Sequence, residues 1–256
     1  MKKYLKLLIL ILLNISVYFI YNNMKNITYR ILILGDNMSL GSNYQTTYID
    51  YYKKYKLKTY HKVKLNKTYS KKDLSISELQ EKVHTNKSLK RDLISTNILF
   101  LNVGYNDLLY KLSISENLTP NNFPLILNEI RKDYLSLIEE IRTYYHKDII
   151  VIGYYESPKN EYYLNKGITY LNKILKSPNN IIYIDTYNNI NNKKYFSNPN
   201  SYFLNTQGNQ VISKKIIKVL ENNKNIWYIN KAIYIYGKSF VMAEGEIIWK
   251  KEFIQK

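Results

Sequence analysis

The stretch that decides the fold is residues 29–41, which read Tyr-Arg-Ile-Leu-Ile-Leu-Gly-Asp-Asn-Met-Ser-Leu-Gly. Its first six residues form a compact apolar run that Gly35 and Asp36 end. A run of this length before a glycine is typical of a strand buried on both faces of a parallel sheet. The polar residues that follow it are therefore expected at the carboxyl end of a strand, where open α/β sheets place their sites.

The rest of the chain alternates between strand and helix patterns. Further strands are predicted at residues 59–65, 97–103, 148–154 and 180–186. Helices are predicted at residues 46–55, 75–92, 125–145, 161–176 and 206–220. In the helix at 125–145 apolar residues recur at intervals of three and four, and the helix at 206–220 is also amphipathic. This alternation predicts an α/β protein, a three-layer α/β/α sandwich with a parallel sheet.

The two ends of the chain differ from this central pattern. Residues 226–236 and 239–253 are rich in strand-forming residues, with turn signals at Gly237 and at Gly245, so a small C-terminal β-appendage is predicted. It is either an addition to the sheet edge or a surface for a partner. The predicted division is therefore residues 1–24, 25–224 and 225–256.

The N-terminal segment has the pattern of a transmembrane helix. Lys2 and Lys3 precede an apolar stretch at residues 4–21, which is about the length that crosses a bilayer. The basic residues predict a cytoplasmic N-terminus, with the bulk of the chain outside the cytoplasm. Residues 18–24 are bulky or polar, which favours an uncleaved signal-anchor in the cell membrane over a cleaved signal peptide.

Composition narrows the candidate partners and chemistry. The 256 residues include 38 Lys and Arg against 20 Asp and Glu, a net charge of +18, and no cysteine. The absence of cysteine excludes disulfides, thiolate metal sites and cysteine nucleophiles. An anionic partner fits the charge, but the lysines are scattered along the chain, which favours a solvated basic surface over a nucleic-acid site. The 28 tyrosines suit packing at half-buried surfaces, or alternatively stacking on sugars.

Three loops together resemble a known family. Residues 35–41, Gly-Asp-Asn-Met-Ser-Leu-Gly, resemble the first block of the SGNH (GDSL-type) hydrolases, Gly-Asp-Ser-x-x-x-Gly. Gly104-Tyr105-Asn106-Asp107 resembles the third block, Gly-x-Asn-Asp, and residues 200–209 stand where the fifth block, Asp-x-x-His, is expected. The resemblance spans residues 29–222 and implies a flavodoxin-like SGNH hydrolase fold, an ester-hydrolase ancestry and no cofactor.

When the motif residues of the family are carried over one by one, the scaffold residues are kept and the residues of the catalytic triad are replaced. The nucleophile position is Asn37, the histidine position is Phe203 and the acid position is Asn200. An amide and a phenyl ring cannot supply the nucleophile and the general base that a serine triad needs. In the family, the asparagine of block three and a glycine of block two help to bind the oxyanion, and these positions correspond to Asn106 and Thr68.

Several residues near the predicted strand ends allow more than one interpretation. Ser39 is a possible substitute nucleophile, although a helix starting at residue 37 would turn it about 200° away. Asn106 and Gly104 either bind a ligand or hold the cleft loops together. Asp107 is expected to cap a helix beginning near Leu108, and no spacing of acidic residues predicts a metal site.

Three hypotheses for function follow. The first is a catalytically inactive SGNH-like protein, anchored in the membrane as a binding or assembly module of the cell envelope. Its predicted ligand is an acylated glycan, a lipid headgroup or an anionic cell-wall polymer. The second is an active esterase or carbohydrate O-deacetylase with a non-standard nucleophile. The third is a structural protein whose cleft is vestigial.

Overall fold

A computed structural model shows a five-stranded, all-parallel sheet in the order β2-β1-β3-β4-β5. The strands are β1 (Thr28–Gly35), β2 (Lys62–Asn66), β3 (Ile98–Asn102), β4 (Ile149–Ile152) and β5 (Ile181–Ile184). The structure describes residues 12, 14–15, 28–41, 46–115, 119, 122–159, 161–190, 192–198, 201–235, 240–243 and 246–249, and from residue 224 onward the backbone alone. The predicted three-layer sandwich with a parallel sheet is confirmed.

Helices connect the strands and cover both faces of the sheet. They are α1 (Asn37–Leu40), α2 (Tyr48–Lys56), α3 (Ile76–Thr85), α4 (Lys87–Ser95), α5 (Tyr105–Ile114), α6 (Phe123–Arg142), α7 (Tyr162–Leu175) and α8 (Thr206–Ile235), with a 3₁₀ turn at Lys193–Tyr195. Leu32 and Leu34 of β1 pack into one core with α3, α5, α6 and α7. On the other face of the sheet, the ring of Tyr52 in α2 packs against the ring of Phe100 in β3, with the two ring centroids 5.3 Å apart.

The helix predicted at residues 75–92 is divided into two helices in the structure. The pattern at residues 75–92 predicted a single continuous helix, but α3 ends at Thr85 and α4 begins at Lys87. Asn86 makes the break, because its backbone is extended and its side-chain oxygen accepts hydrogen bonds from the amides of Ser88 and Leu89. An asparagine that caps a new helix thus ends the previous one.

The prediction for the C-terminal region is partly wrong. Residues 226–235 were expected in strands, but α8 continues unbroken to Ile235. The chain divides into two compact units between Ser213 and Lys214. The second unit contains an antiparallel pair, β6 (Phe240–Ala243) and β7 (Glu246–Trp249), with Phe240 opposite Trp249. Residues 244–245, where a turn is predicted, lie between these two strands in sequence and outside the described residues.

The predicted membrane segment at residues 1–24 lies outside the described residues, except for Leu12, Asn14 and Ile15. Among the helices that the structure describes, none has the length and apolarity to span a bilayer. The anchor and the localisation that it implies stay predictions.

Candidate functional site

The three family-like loops meet at the carboxyl edge of the sheet. β1 and β3 are neighbours, with Gly35 paired to Asn102, and β4 lies next to β3. Gly35-Asp36-Asn37 and Gly104-Tyr105-Asn106 therefore leave adjacent strands side by side. The sequence motifs predicted this juxtaposition correctly.

Asn37, the residue at the nucleophile position, begins the short helix α1. Its side-chain amide Nδ2 donates a hydrogen bond of 3.2 Å to Oδ1 of Asp73, at a solvent-exposed location. Asp36 fixes the turn before it, because Oδ1 of Asp36 accepts a 3.0 Å bond from the amide of Met38. Asn37 therefore serves as a donor to a carboxylate in a position where the family has a nucleophile.

Ser39 points inward from the same helix. Its side chain is fully buried, and Oγ donates a 3.1 Å hydrogen bond to Oδ1 of Asn102 in β3. The hydroxyl of Tyr48 lies 3.4 Å away from Oγ. A β-carbon added to Gly35 would lie 2.7 Å from the β-carbon of Ser39, so the two residues are in close contact. Ser39 lies under the first loop rather than at the mouth of a cleft.

Asp36 is a fully buried carboxyl group at the centre of the site. Its Oδ2 accepts a 2.8 Å hydrogen bond from the hydroxyl of Tyr154. Burial raises the pKa of Asp36 to about 7, while the hydrogen bonds from Tyr154 and from the Met38 amide act to lower it. Asp36 is thus a group that titrates near neutral pH, held by one hydroxyl and one backbone amide.

The loop after β2 contributes Asp73 to the site. Thr68, aligned with the family's glycine of block two, is exposed, and its amide bonds to Oδ1 of Asn66. Asp73 instead contacts Asn37, and its φ of 60° lies in the left-handed region that favours glycine. No sequence motif pointed to Asp73, and its left-handed backbone, a conformation that favours glycine, becomes visible only in the structure.

The loop after β3 is anchored to the loop after β2. Gly104 has a φ of 113°, which permits the sharp turn into α5. Nδ2 of Asn106 donates a 3.2 Å hydrogen bond to the backbone oxygen of Leu74. The prediction that Asp107 caps a helix near Leu108 is wrong, because α5 begins at Tyr105 and the Asp107 carboxyl accepts from the amide of Ile76, the first residue of α3.

Tyrosines fill the space beside Asp36. The ring of Tyr105 lies 5.3 Å from that of Tyr154 and 6.1 Å from that of Tyr202. The hydroxyl of Tyr155 donates a 2.6 Å bond to the backbone oxygen of Tyr202. Among the described residues, the buried hydroxyl of Tyr105 has no hydrogen-bond partner. A high tyrosine content was the only signal for this cluster at the level of sequence.

The fifth-block loop is held through its backbone and through Tyr202. Phe203 is half-buried, and its backbone pairs with Ser197 and with the hydroxyl of Ser201. The hydroxyl of Tyr202 donates a 2.9 Å bond to Glu161 at the start of α7. This loop therefore reaches Tyr105, the second residue of the third block. Asn200 lies outside the described residues.

The three histidines lie away from this edge. His61 directly precedes β2 and His146 lies three residues before β4, so both are at the amino edge of the parallel sheet. His84 is in the last turn of α3, about 12 Å along the helix from Ile76, whose amide bonds to Asp107.

Asp185 accepts hydrogen bonds within its own turn, from Tyr187 and Asn188. In the described part of the chain, no three acidic or histidine side chains are grouped to hold a metal ion.

Among the comparisons with known proteins, the one with solved structures agrees with the fold that the motifs predicted. No model of a protein family and no curated protein sequence matches this chain. Among solved structures, the lipase Lip_vut3 from a goat rumen metagenome has a TM-score of 0.63 and 21% identity over 75% of this chain and 97% of that chain. A catalytic mutant of the acetylxylan esterase Axe2 from Geobacillus stearothermophilus has a TM-score of 0.57 and 12% identity, covering 75% and 94%.

A member of the lipolytic G-D-S-L family from Veillonella parvula is also similar. Its TM-score is 0.54, with 16% identity over 76% of this chain and 99% of that chain. These identities are low, so the likeness is one of fold. The fold of this chain is therefore that of the SGNH (GDSL-type) hydrolase superfamily, which its three loop motifs predicted.

Proposed function

We propose that this chain is a non-catalytic relative of the SGNH hydrolases that acts as a binding or assembly module in a cell envelope. The observation that carries the proposal is the pairing of Asn37 with Asp73. A side-chain amide has no ionisable proton near neutral pH, and here it is engaged as a hydrogen-bond donor. The site therefore has a recognition group where a hydrolase needs a nucleophile.

The position of Ser39 also supports this proposal. A substitute nucleophile needs an accessible oxygen and a base within about 3 Å. The hydroxyl of Ser39 is buried, and it donates to the side-chain oxygen of Asn102, which is an amide and a poor base. A tetrahedral intermediate on Ser39 would require α1 to open.

The distribution of histidines favours the same conclusion. A serine or water nucleophile is activated most often by an imidazole, and His61, His84 and His146 are all distant from the carboxyl edge of the sheet. Among the described residues beside the site, Asp36 is a buried carboxyl whose pKa lies near 7, but each of its oxygens already accepts a hydrogen bond, from Tyr154 or from the Met38 amide. Asp36 is suited to holding the loop together rather than to accepting a substrate proton.

The proposed ligand is an acylated glycan, a lipid headgroup or an anionic wall polymer. Axe2, one of the structurally similar proteins, is an acetylxylan esterase, and this likeness of fold supports an acylated glycan as one of the candidate ligands. Tyr110, Tyr162 and Tyr163 are exposed on helices α5 and α7. The predicted anchor at residues 1–24 would hold this surface outside the membrane, and the net charge of +18 suits anionic partners.

Ester hydrolysis by the full-length chain in a neutral detergent tests the proposal. Short-chain acyl esters and acetylated xylo-oligosaccharides are the substrates, and the heat-denatured protein provides the background rate. We expect no turnover above that background. Turnover that disappears in Ser39→Ala, with the melting temperature retained, would instead identify an active esterase with a relocated nucleophile and overturn the proposal.

A further inference from the structure

A groove lies between α6 and α7, on the outer layer of the sandwich. Its volume is about 250 Å³, and Leu127, Ile174 and Pro124 provide its aliphatic lining. α7 starts at the carboxyl edge of the sheet, and Lys173, which also lines the groove, is about 16 Å along the helix from Tyr162. The groove is therefore separate from the loops around Asn37.

Cationic and amide side chains line the same groove. Arg131 and Asn128 lie along one side on α6, and Lys173 and Ser177 lie along the other, on α7 and just after it. None of the residues that line it is acidic. The Ser177 hydroxyl donates to the backbone oxygen of Ile174, so Arg131, Asn128 and Lys173 are the donors that face a ligand. An aliphatic floor with two cations at its rim favours an anion that carries an apolar backbone.

Aromatic packing holds Lys173 in place. Nζ of Lys173 lies 5.1 Å from the centre of the Tyr170 ring, and that ring stacks on Phe123 at 6.3 Å with an interplanar angle of 17°. The cation is thus ordered before any ligand arrives, which reduces the entropy lost on binding. Tyr170 also lines the groove, but its ring already contacts Phe123 and the Lys173 ammonium, so a flat sugar face is not favoured.

We propose that this groove binds a phosphodiester group of a linear polyol phosphate polymer. The Arg131 guanidinium matches the two free oxygens of a phosphodiester, Lys173 adds a point charge, and the aliphatic floor receives the polyol carbons. Lys166 lies two turns before Lys173 on α7, about 10 Å along the same face, and is held over Tyr162 at 5.7 Å. Cations repeated along one helix face suit a ligand with repeated charges rather than a single ion.

The inference rests on the proposed function in one respect, because it locates the anionic partner proposed above. The test uses full-length protein in neutral detergent and fluorescently labelled poly(glycerol phosphate) at about 0.1 M salt, where long-range attraction is screened. The variant Arg131→Gln/Lys173→Gln is compared with Lys58→Gln/Lys64→Gln. Lys64 lies in β2 and Lys58 just before it, at the far edge of the sheet from α6 and α7. Both lysines are exposed, as Arg131 and Lys173 are, and their replacement removes the same charge.

We expect binding by the wild-type chain, a loss of affinity of about tenfold or more in the groove variant, and less than about twofold in the control. Equal losses of affinity in both variants would show a diffuse electrostatic attraction and overturn the groove as a binding site. No binding by the wild-type chain would also overturn it. Equal binding to polyglutamate would contradict the proposal that the groove recognises a phosphodiester. Preferential binding to phosphatidylglycerol vesicles would contradict the proposal that the ligand is a polymer. If no polymer binds and no ester is hydrolysed, the groove fails while the non-catalytic proposal stands.

Discussion

The hydroxyl of Tyr154 and the carboxyl of Asp36 form a buried hydrogen bond of 2.8 Å between the end of β4 and the end of β1. Neither side chain is exposed to solvent. Burial raises the pKa of Asp36 from its ordinary value of 3.8 to about 7, since the ionised form loses its hydration. The folded protein therefore binds a proton at this carboxyl more tightly than the unfolded chain does.

This difference predicts that Asp36 makes the protein less stable as pH rises. A raised pKa in the folded state gives a contribution that is complete below pH 4, declines from pH 4 to pH 7 and is lost above pH 7. Three pKa units correspond to roughly 4 kcal/mol in the free energy of unfolding. Urea unfolding of the wild type and of Asp36→Asn at pH 4 and at pH 8 measures the contribution of Asp36 to the free energy of unfolding. The variant should gain stability relative to the wild type at pH 8.

The comparison is informative because the amide introduced by Asp36→Asn is nearly isosteric with the carboxyl group and is always neutral. Its oxygen can still accept from the Met38 amide, and its NH₂ group can donate to the Tyr154 oxygen. An identical pH dependence in wild type and variant would show that Asp36 keeps an ordinary pKa and would contradict the prediction.

Tyr105 and Tyr154 provide a matched pair for a second prediction. Their rings lie 5.3 Å apart, but the Tyr105 hydroxyl has no partner among the described residues, whereas that of Tyr154 bonds to Asp36. Removing an unpartnered buried hydroxyl relieves its desolvation penalty, so Tyr105→Phe should raise the free energy of unfolding by up to about 1 kcal/mol. Tyr154→Phe should lower it by about 1–3 kcal/mol.

Thermal and urea unfolding of the two variants at pH 6 would measure both effects. A loss of about 1 kcal/mol or more in Tyr105→Phe would contradict the prediction, because it would mean that a water molecule or a ligand satisfies the Tyr105 hydroxyl.

The fold was predictable because each of its signals is local. A buried strand needs only a short apolar run and a glycine to end it, which is why residues 29–34 located β1 within one residue at each end. Helix α6 was predicted from apolar periodicity within about three residues, and α7 was predicted within one residue at each end. The break at Asn86 was missed because the apolar pattern runs across it, and the capping asparagine decides the geometry.

The site was predictable only where a motif fixes the backbone. Asn37, Gly104 and Asn106 were found because strand-ending turns constrain them. Asp73 was missed because its contact with Asn37 depends on how the loop after β2 folds back, 36 residues away in sequence. Tyrosines look alike in a sequence, and only packing separates the buried, hydrogen-bonded Tyr154 from the exposed Tyr110.

Close contact between Gly35 and Ser39 gives a third prediction. A β-carbon at residue 35 would overlap the side chain of Ser39 and lie 3.1 Å from the backbone oxygen of Asn102. Gly35→Ala should therefore lower the free energy of unfolding by about 2–4 kcal/mol. Ser39→Gly should recover part of that loss in the double variant, since it removes the overlapping atoms. Strictly additive effects in urea unfolding would mean that the two residues are not coupled.

Asn102 gives the last prediction, because it is the buried polar link of the carboxyl edge. Its Oδ1 accepts from Ser39 and its Nδ2 donates to the backbone oxygen of Ile152 at 2.9 Å. Asn102→Ala removes both of these bonds and leaves Ser39 with only its 3.4 Å contact to the Tyr48 hydroxyl, so it should lower the free energy of unfolding by about 2–4 kcal/mol. Asn106→Ala, the matched control, breaks one half-buried bond to Leu74 and should cost about 1 kcal/mol.

Urea unfolding of both asparagine variants separates the two roles open to Asn106. A cost near about 1 kcal/mol with unchanged ligand binding would mean that Asn106 ties the loops together. No cost in stability, combined with lost binding of an acetylated glycan, would assign it to the ligand instead. If Asn102→Ala were no more damaging than Asn106→Ala, the Ser39–Asn102–Ile152 connection would not stabilise the edge. In that case Ser39 could leave its buried position at little cost, and its burial would no longer exclude it as a nucleophile.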